Sequence, residues 1–234
     1  MIGPLWSWVA IFGSTACIRA SVVAMQGRRF TWLIGGIGLI ACGIVGVTRG
    51  SVPGAPGAIL LLTLVGDVLW AGSILILSIG TSREGSVVAR KPLGLTASVV
   101  VAVWPLTNTL VAPIVSPQSP AQAGAWQLWT YLSLVVPLVS GLIAAMQVAR
   151  IRIVPAPWSW APLWALGVRT VAWLVPQLIG VAAPGTLTEL ATVIPLLGTL
   201  GFLSTTLGLG ILAVVLSNRS RAGSVLVFGS SRAE

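Results

Sequence analysis

Two charged side chains sit inside stretches that are otherwise apolar. Asp67 lies within LLLTLVGDVLWAGSILILS, residues 60–78, and Arg169 within ALGVRTVAWLVPQ, residues 165–177. A carboxylate or guanidinium in such a setting can hold a substrate, carry a proton or neutralise an opposite charge. Each costs about 2.5–3.5 kcal/mol at the centre of a bilayer on insertion scales, so a reason for its presence is expected. Counting about 1.5 Å per helical residue from the ends of the two apolar runs places Asp67 ~14 Å and Arg169 ~20 Å from the same face. A long Arg side chain can bridge that difference, so a buried Asp67–Arg169 ion pair is expected. Two roles stay open for it: a packing device that fixes how two helices meet, or a site for substrate or protons.

Other polar residues share the faces of these two. Thr63 stands four residues before Asp67, on the same helical face. Asn108 follows Trp104 by one turn, Gln177 follows Pro176, and Thr199 follows Pro195 by one turn. The candidate substrate- or ion-binding set is therefore Asp67, Arg169, Asn108, Gln177, Thr63 and Thr199. Prolines fall inside the later apolar runs, and kinked helices that turn carbonyls towards a polar cavity are common in transport sites. Prolines satisfied by neighbouring Ser and Thr are the plainer alternative.

Much chemistry is excluded. The chain has no histidine, which removes His-ligated haem, His-based zinc and every Ser-His or Cys-His nucleophile pair. Cys17 and Cys42 both fall in apolar runs and read as small packing residues. No catalytic residue, metal or cofactor is nominated, and an enzyme would have Asp67 as its one credible acid–base group.

The elements that must position these residues are membrane helices. The 234 residues are 56% hydrophobic and only 7% charged, with a mean hydropathy of +1.01. Such a chain cannot cover a water-facing surface, and its apolar runs are long enough to span a bilayer. Seven runs are marked: 5–25, 30–48, 58–80, 93–115, 126–149, 158–182 and 190–216. In lipid every backbone polar group needs an internal partner, so the runs are helices, giving an all-α, polytopic membrane protein. One seven-helix domain covers residues 1–216, and 217–234 form a tail.

The net charge of +9 is spread between the runs. It reads as topogenic charge beside anionic lipid, and no nucleic-acid partner is expected. QGRR, TSREGSVVARK, RIRIVPAP and the tail are basic, whereas SPQSPAQAGA and AAPGTLTE lack Lys and Arg. The positive-inside bias then puts the N-terminus outside and the tail in the cytoplasm, with Arg49 as the one dissenting residue. Arg19 snorkels to the inner interface on this reading, and Glu189 suits the start of the seventh helix. Trp6, Trp8, Trp32, Trp126, Trp129, Trp158 and Trp160 lie near run ends and read as an interfacial belt. Lys91 is the single lysine, and such Arg-for-Lys usage accompanies GC-rich bacterial genomes, so a bacterial plasma membrane is the expected location.

Gly38, Cys42, Gly46 and Gly50 form a small ridge on the second run. It should pack closely against another helix of the bundle or a partner membrane protein.

LWSW…AMQGRR in the first run is echoed by LWTY…AMQVAR in the fifth, and APG precedes both the third and the seventh. These matches lay runs one to three over runs five to seven, a parallel 3+1+3 repeat. In this architecture the chain resembles the seven-helix superfamily of SWEET and PQ-loop transporters and microbial rhodopsins. The Pro176-Gln177 pair lies in the sixth run rather than in the first helix of a repeat. The one lysine lies in a loop, which excludes a retinal Schiff base. LVGDVL, residues 64–69, also looks like part of the lysoplasmalogenase motif, without that family's other acidic and His positions. A small transporter or permease-like bundle is the first functional expectation, and a non-catalytic accessory or assembly subunit is the alternative.

Overall fold

The structure, a computed structural model, describes residues 27, 29–50, 56–80, 91–116, 123–151, 158–182, 190 and 192–219. The first run with Cys17 and Arg19, Glu189, the connecting loops and the tail beyond residue 219 lie outside the described residues. The other six runs are helices long and apolar enough to cross a membrane, so the chain is a multi-pass helical membrane protein.

They are α1 (Arg29–Gly50), α2 (Pro56–Ile79), α3 (Pro92–Val115), α4 (Ala123–Ile151), α5 (Ala161–Ala182) and a last span built from α6 (Val193–Leu203) and α7 (Leu209–Arg219). A 3₁₀ turn at Trp158–Trp160 leads into α5, and a π-helical turn at Ser204–Gly208 joins α6 to α7.

Local sequence sets several boundaries. Pro56 opens α2 and Pro92 opens α3, where the missing N–H costs nothing and the fixed φ suits a helix. Gly80 ends α2 in the left-handed region, φ 65°, and its N–H closes on the Ile76 carbonyl at 2.9 Å. Within the spans, Ser73, Ser78, Ser98, Ser140 and Thr170 each donate to the carbonyl four residues back. These hydroxyls are thus satisfied inside their own helices.

The six spans form a ring of antiparallel neighbours. α2 packs on α3, α3 on α4, α4 on α5 and α5 on α6. α1 closes the ring by touching both α2 and the last span, and its glycines allow this. A Cβ on Gly35 would meet Leu77 of α2 at 2.5 Å, and one on Gly36 would meet the Gly210 carbonyl of α7 at 2.8 Å. Gly38 faces Ser73, Cys42 donates through Sγ to the Gly66 carbonyl at 3.3 Å, and Gly46 faces Phe202. Three of the four ridge residues are therefore used inside the bundle, and only Gly50 has open space beside it.

Pro105 removes the N–H that would bond the Val101 carbonyl within α3. Trp70 of α2 takes that place, donating Nε1–H to the Val101 oxygen at 3.1 Å. The proline is satisfied by a neighbouring helix, and the same bond ties α2 to α3.

Candidate functional site: a polar cavity inside the helix ring

The ring encloses a cavity of about 930 Å³ to which all six spans contribute. Five of the six residues singled out in the sequence line it: Asp67, Arg169, Asn108, Thr63 and Thr199. Gln177 is exposed and is not part of the lining. It stands eight residues after Arg169, more than two helical turns, and so lies beyond the end of the cavity wall.

The polarity of the lining is graded along the bundle. Towards the end that holds Arg49, the wall carries Thr63, Asn108, Thr109, Ser133 and Thr199. Towards the end that holds Trp32, it carries Leu77, Ala145, Val148, Ala165 and Leu212, with Ser78 and Ser98, which donate to carbonyls of their own helices. Trp32 packs there against Ala213 and Leu216 in a small apolar cluster. Asp67 and Arg169 lie near the boundary between the two halves.

The expected Asp67–Arg169 ion pair is not present: among the described residues, nothing bridges the two charges. Asp67 instead accepts the Thr109 hydroxyl at Oδ2, 2.6 Å away. Residue counting gave similar depths to the two charges, but depth does not fix the direction a side chain takes around its helix. Asp67 on α2 faces α3, its direct neighbour in the ring, whereas α5 sits across it. Gly201 lets α6 lie against α5 beside Arg169, since a Cβ there would meet Ala172 at 2.8 Å and the Arg169 Cα at 3.4 Å. The Arg169 side chain is left to line the cavity, where it makes no hydrogen bond or ion pair among the described residues.

A second polar group has its acceptor oxygen doubly engaged. Asn108 Oδ1 accepts both the Trp129 Nε1–H and the Ser133 hydroxyl at 3.1 Å. Trp104 and Trp129 stack with ring centroids 5.8 Å apart and an interplanar angle of 18°. Trp129 therefore points into the bundle rather than serving an interfacial belt, and Trp32 is likewise buried. Near the mouth, Arg49 donates to the Thr63 hydroxyl at 3.2 Å, which joins α1 to α2 and explains the one basic residue that broke the loop pattern.

Sequence reasoning passed over Thr109, Ser133, Trp70 and the π-helical turn. The signal for Thr109 was its place beside Asn108 at the depth of Thr63, counted from matching helix ends. The signal for the π turn was the polar triplet Ser204-Thr205-Thr206 in an apolar span. π-helical insertions of this kind are frequent at functional sites, and Thr205 lines the cavity.

Comparison of the chain with protein-family models, with curated proteins and with solved structures gave no match. The chemistry of the cavity rests on its own geometry. Among the described residues it offers one carboxylate with a single donor, one guanidinium without a hydrogen bond or ion pair, and indole side chains from Trp70 and Trp173.

Proposed function

We propose that this protein is a small transporter or permease whose substrate site is the midplane cavity at Asp67 and Arg169. The observation that carries this reading is that two opposite charges line one cavity and leave each other unpaired. A purely structural pair would be expected to close, because isolated charges in a low-dielectric interior are costly. Intramembrane charges that face a cavity are by default markers of a substrate or ion path.

On this reading the first run completes a seven-helix domain, with the N-terminus outside and the tail in the cytoplasm of a bacterial plasma membrane. Runs one to three and five to seven form the two halves of a 3+1+3 repeat. The polar half of the cavity then opens outwards, and the Trp32 cluster forms the inner closure.

The test is thiol access in vesicles of known orientation, using a Cys17→Ala, Cys42→Ala background. Single cysteines at Ser133 and at Ala165 sample the two halves of the cavity. An impermeant reagent should reach Ser133→Cys from outside, and Ala165→Cys from the cytoplasmic side in a separate state. Protection of both positions from both sides would sink the transport reading and favour the accessory-subunit alternative. Reaction of a cysteine placed in SPQSPAQAGA from the cytoplasmic side alone would reverse the assigned topology.

A further inference from the structure

We infer that the cavity binds a small zwitterion with an apolar body, its cationic group at Asp67 and its anionic group at Arg169. The inference rests on the transport reading and narrows its substrate class.

Among the described residues, three charged side chains line the cavity: Arg49, Asp67 and Arg169. Arg49 lies at the mouth, bonded to Thr63; Asp67 is half-buried and Arg169 exposed. The two deeper charges are under-satisfied. Among the described residues, Asp67 Oδ1 accepts nothing while Oδ2 takes Thr109, and the five guanidinium N–H donors of Arg169 have no acceptor. A simple anion would answer Arg169 and leave the carboxylate bare. A simple cation would do the reverse. A ligand with both charges satisfies both walls and brings no net charge into a low-dielectric space.

The rest of the lining suits the body of such a molecule. Trp70 and Trp173 line the cavity, and the Trp70 N–H is already held by the Val101 carbonyl. Their indole rings offer surface to apolar groups, or to an ammonium through its attraction to a ring face. Leu77, Ala165 and Leu212 continue the apolar surface towards the Trp32 end. A volume of about 930 Å³ accommodates an amino acid with a branched or aromatic side chain.

The experiment uses the purified full chain in detergent, with equilibrium dialysis and thermal melting as readouts. The zwitterionic probes are leucine, phenylalanine and glycine betaine. Leucinamide and phenylalaninamide keep only the cation, and N-acetylleucine and N-acetylphenylalanine keep only the anion. At least one amino acid should bind, and its single-charge analogues should bind ~10-fold or more weakly, the loss of one charge-assisted contact. Arg169→Gln should erase the preference over the amide, and Asp67→Asn the preference over the N-acetyl form. Melting of each variant without ligand separates a binding defect from a folding defect. Equal binding of a single-charge analogue, or no binding by any of the probes, overturns the inference. An open cavity in the thiol assay with no zwitterion bound leaves transport standing and removes only the substrate class; a cavity closed from both sides removes both.

Discussion

The helices α1 to α4 are laced together by polar bonds, whereas α5 and the last span are held by shape. Six side-chain hydrogen bonds join different helices within the first group: Cys42 to Gly66, Arg49 to Thr63, Trp70 to Val101, Thr109 to Asp67, and Trp129 and Ser133 to Asn108. The hydroxyls of α5, α6, the π turn and α7 bond only within their own span. Asp67 belongs to the laced side and Arg169 to the other. In lipid, apolar contact between helices gains little over contact with lipid tails, so the less laced side should be the more easily displaced. On the transport proposal that side would be a moving wall with the unpartnered charge, facing a fixed wall with the anchored one, as alternating access requires.

The two sides meet at two seams, α4 against α5 and α1 against α7, and breaking the second should have the largest effect. The backbones touch at Gly36 and Gly210, where a Cβ on Gly210 would meet the Gly36 carbonyl at 2.9 Å. Gly36→Leu should destabilise by about 3 kcal/mol and lower the yield of monodisperse protein. Gly50→Leu, with nothing near its Cβ position, should melt within about 0.5 kcal/mol of the wild type. Equal melting of the two variants would mean that α1 does not close the ring.

Next in size is the lacing itself. Thr109→Val removes the donor that holds Asp67 and should cost about 1.5–3 kcal/mol, the usual value of a hydrogen bond to a charged group. Asp67→Leu combined with Thr109→Val removes both partners and should recover most of that loss in a detergent melt. Strict additivity would show that the two are not coupled.

Those two residues also show what could be read without coordinates. Length and polarity located six spans within a few residues, because lipid permits only helices and the charged loops mark their ends. Five of the six candidate residues line one cavity, since polar groups in a spanning helix avoid lipid. The partner of Asp67 was not legible. Depth follows from counting, but azimuth depends on which helix stands beside which, and the order around the ring is a tertiary fact. Trp129 was misread for the same reason: its place near a helix end suggested an interface, whereas a stacked Trp104 and the Asn108 carbonyl draw it inward. Gln177 was included as a polar residue on a face expected to turn inward, and it does not line the cavity.

Arg169 separates the two sides in sign. A residue in a buried pair destabilises the fold when removed. Arg169 has no such partner among the described residues, so Arg169→Met should melt at or above the wild-type temperature, a gain of about 1 kcal/mol or less after the change in packing. Substrate binding should be lost in the same variant. A melting temperature well below the wild type would assign Arg169 a structural partner and weaken the case for a site.

The smallest effects should come from glycines on the unlaced side that touch nothing. Gly167 in α5 and Gly198 in α6 have no atom within 4 Å of the position a Cβ would take. Neither is needed for close packing, and neither is among the described residues with positive φ. In a helix interior Gly is less stable than Ala by roughly 0.5–1 kcal/mol because its backbone loses more freedom on folding. Gly167→Ala and Gly198→Ala should each raise the melting temperature by that small margin. If α5 and α6 are the moving wall, stiffening them should slow flux in vesicles; Gly167→Ala should do so without weakening equilibrium binding, because Gly167, unlike Gly198, does not line the cavity. The matched change on the laced side is Gly72→Ala in α2, also free of neighbours, which should stabilise to the same degree and leave the rate alone. A rate that falls equally in all three variants would mean that both sides flex together, and the division between a fixed and a moving wall would be wrong.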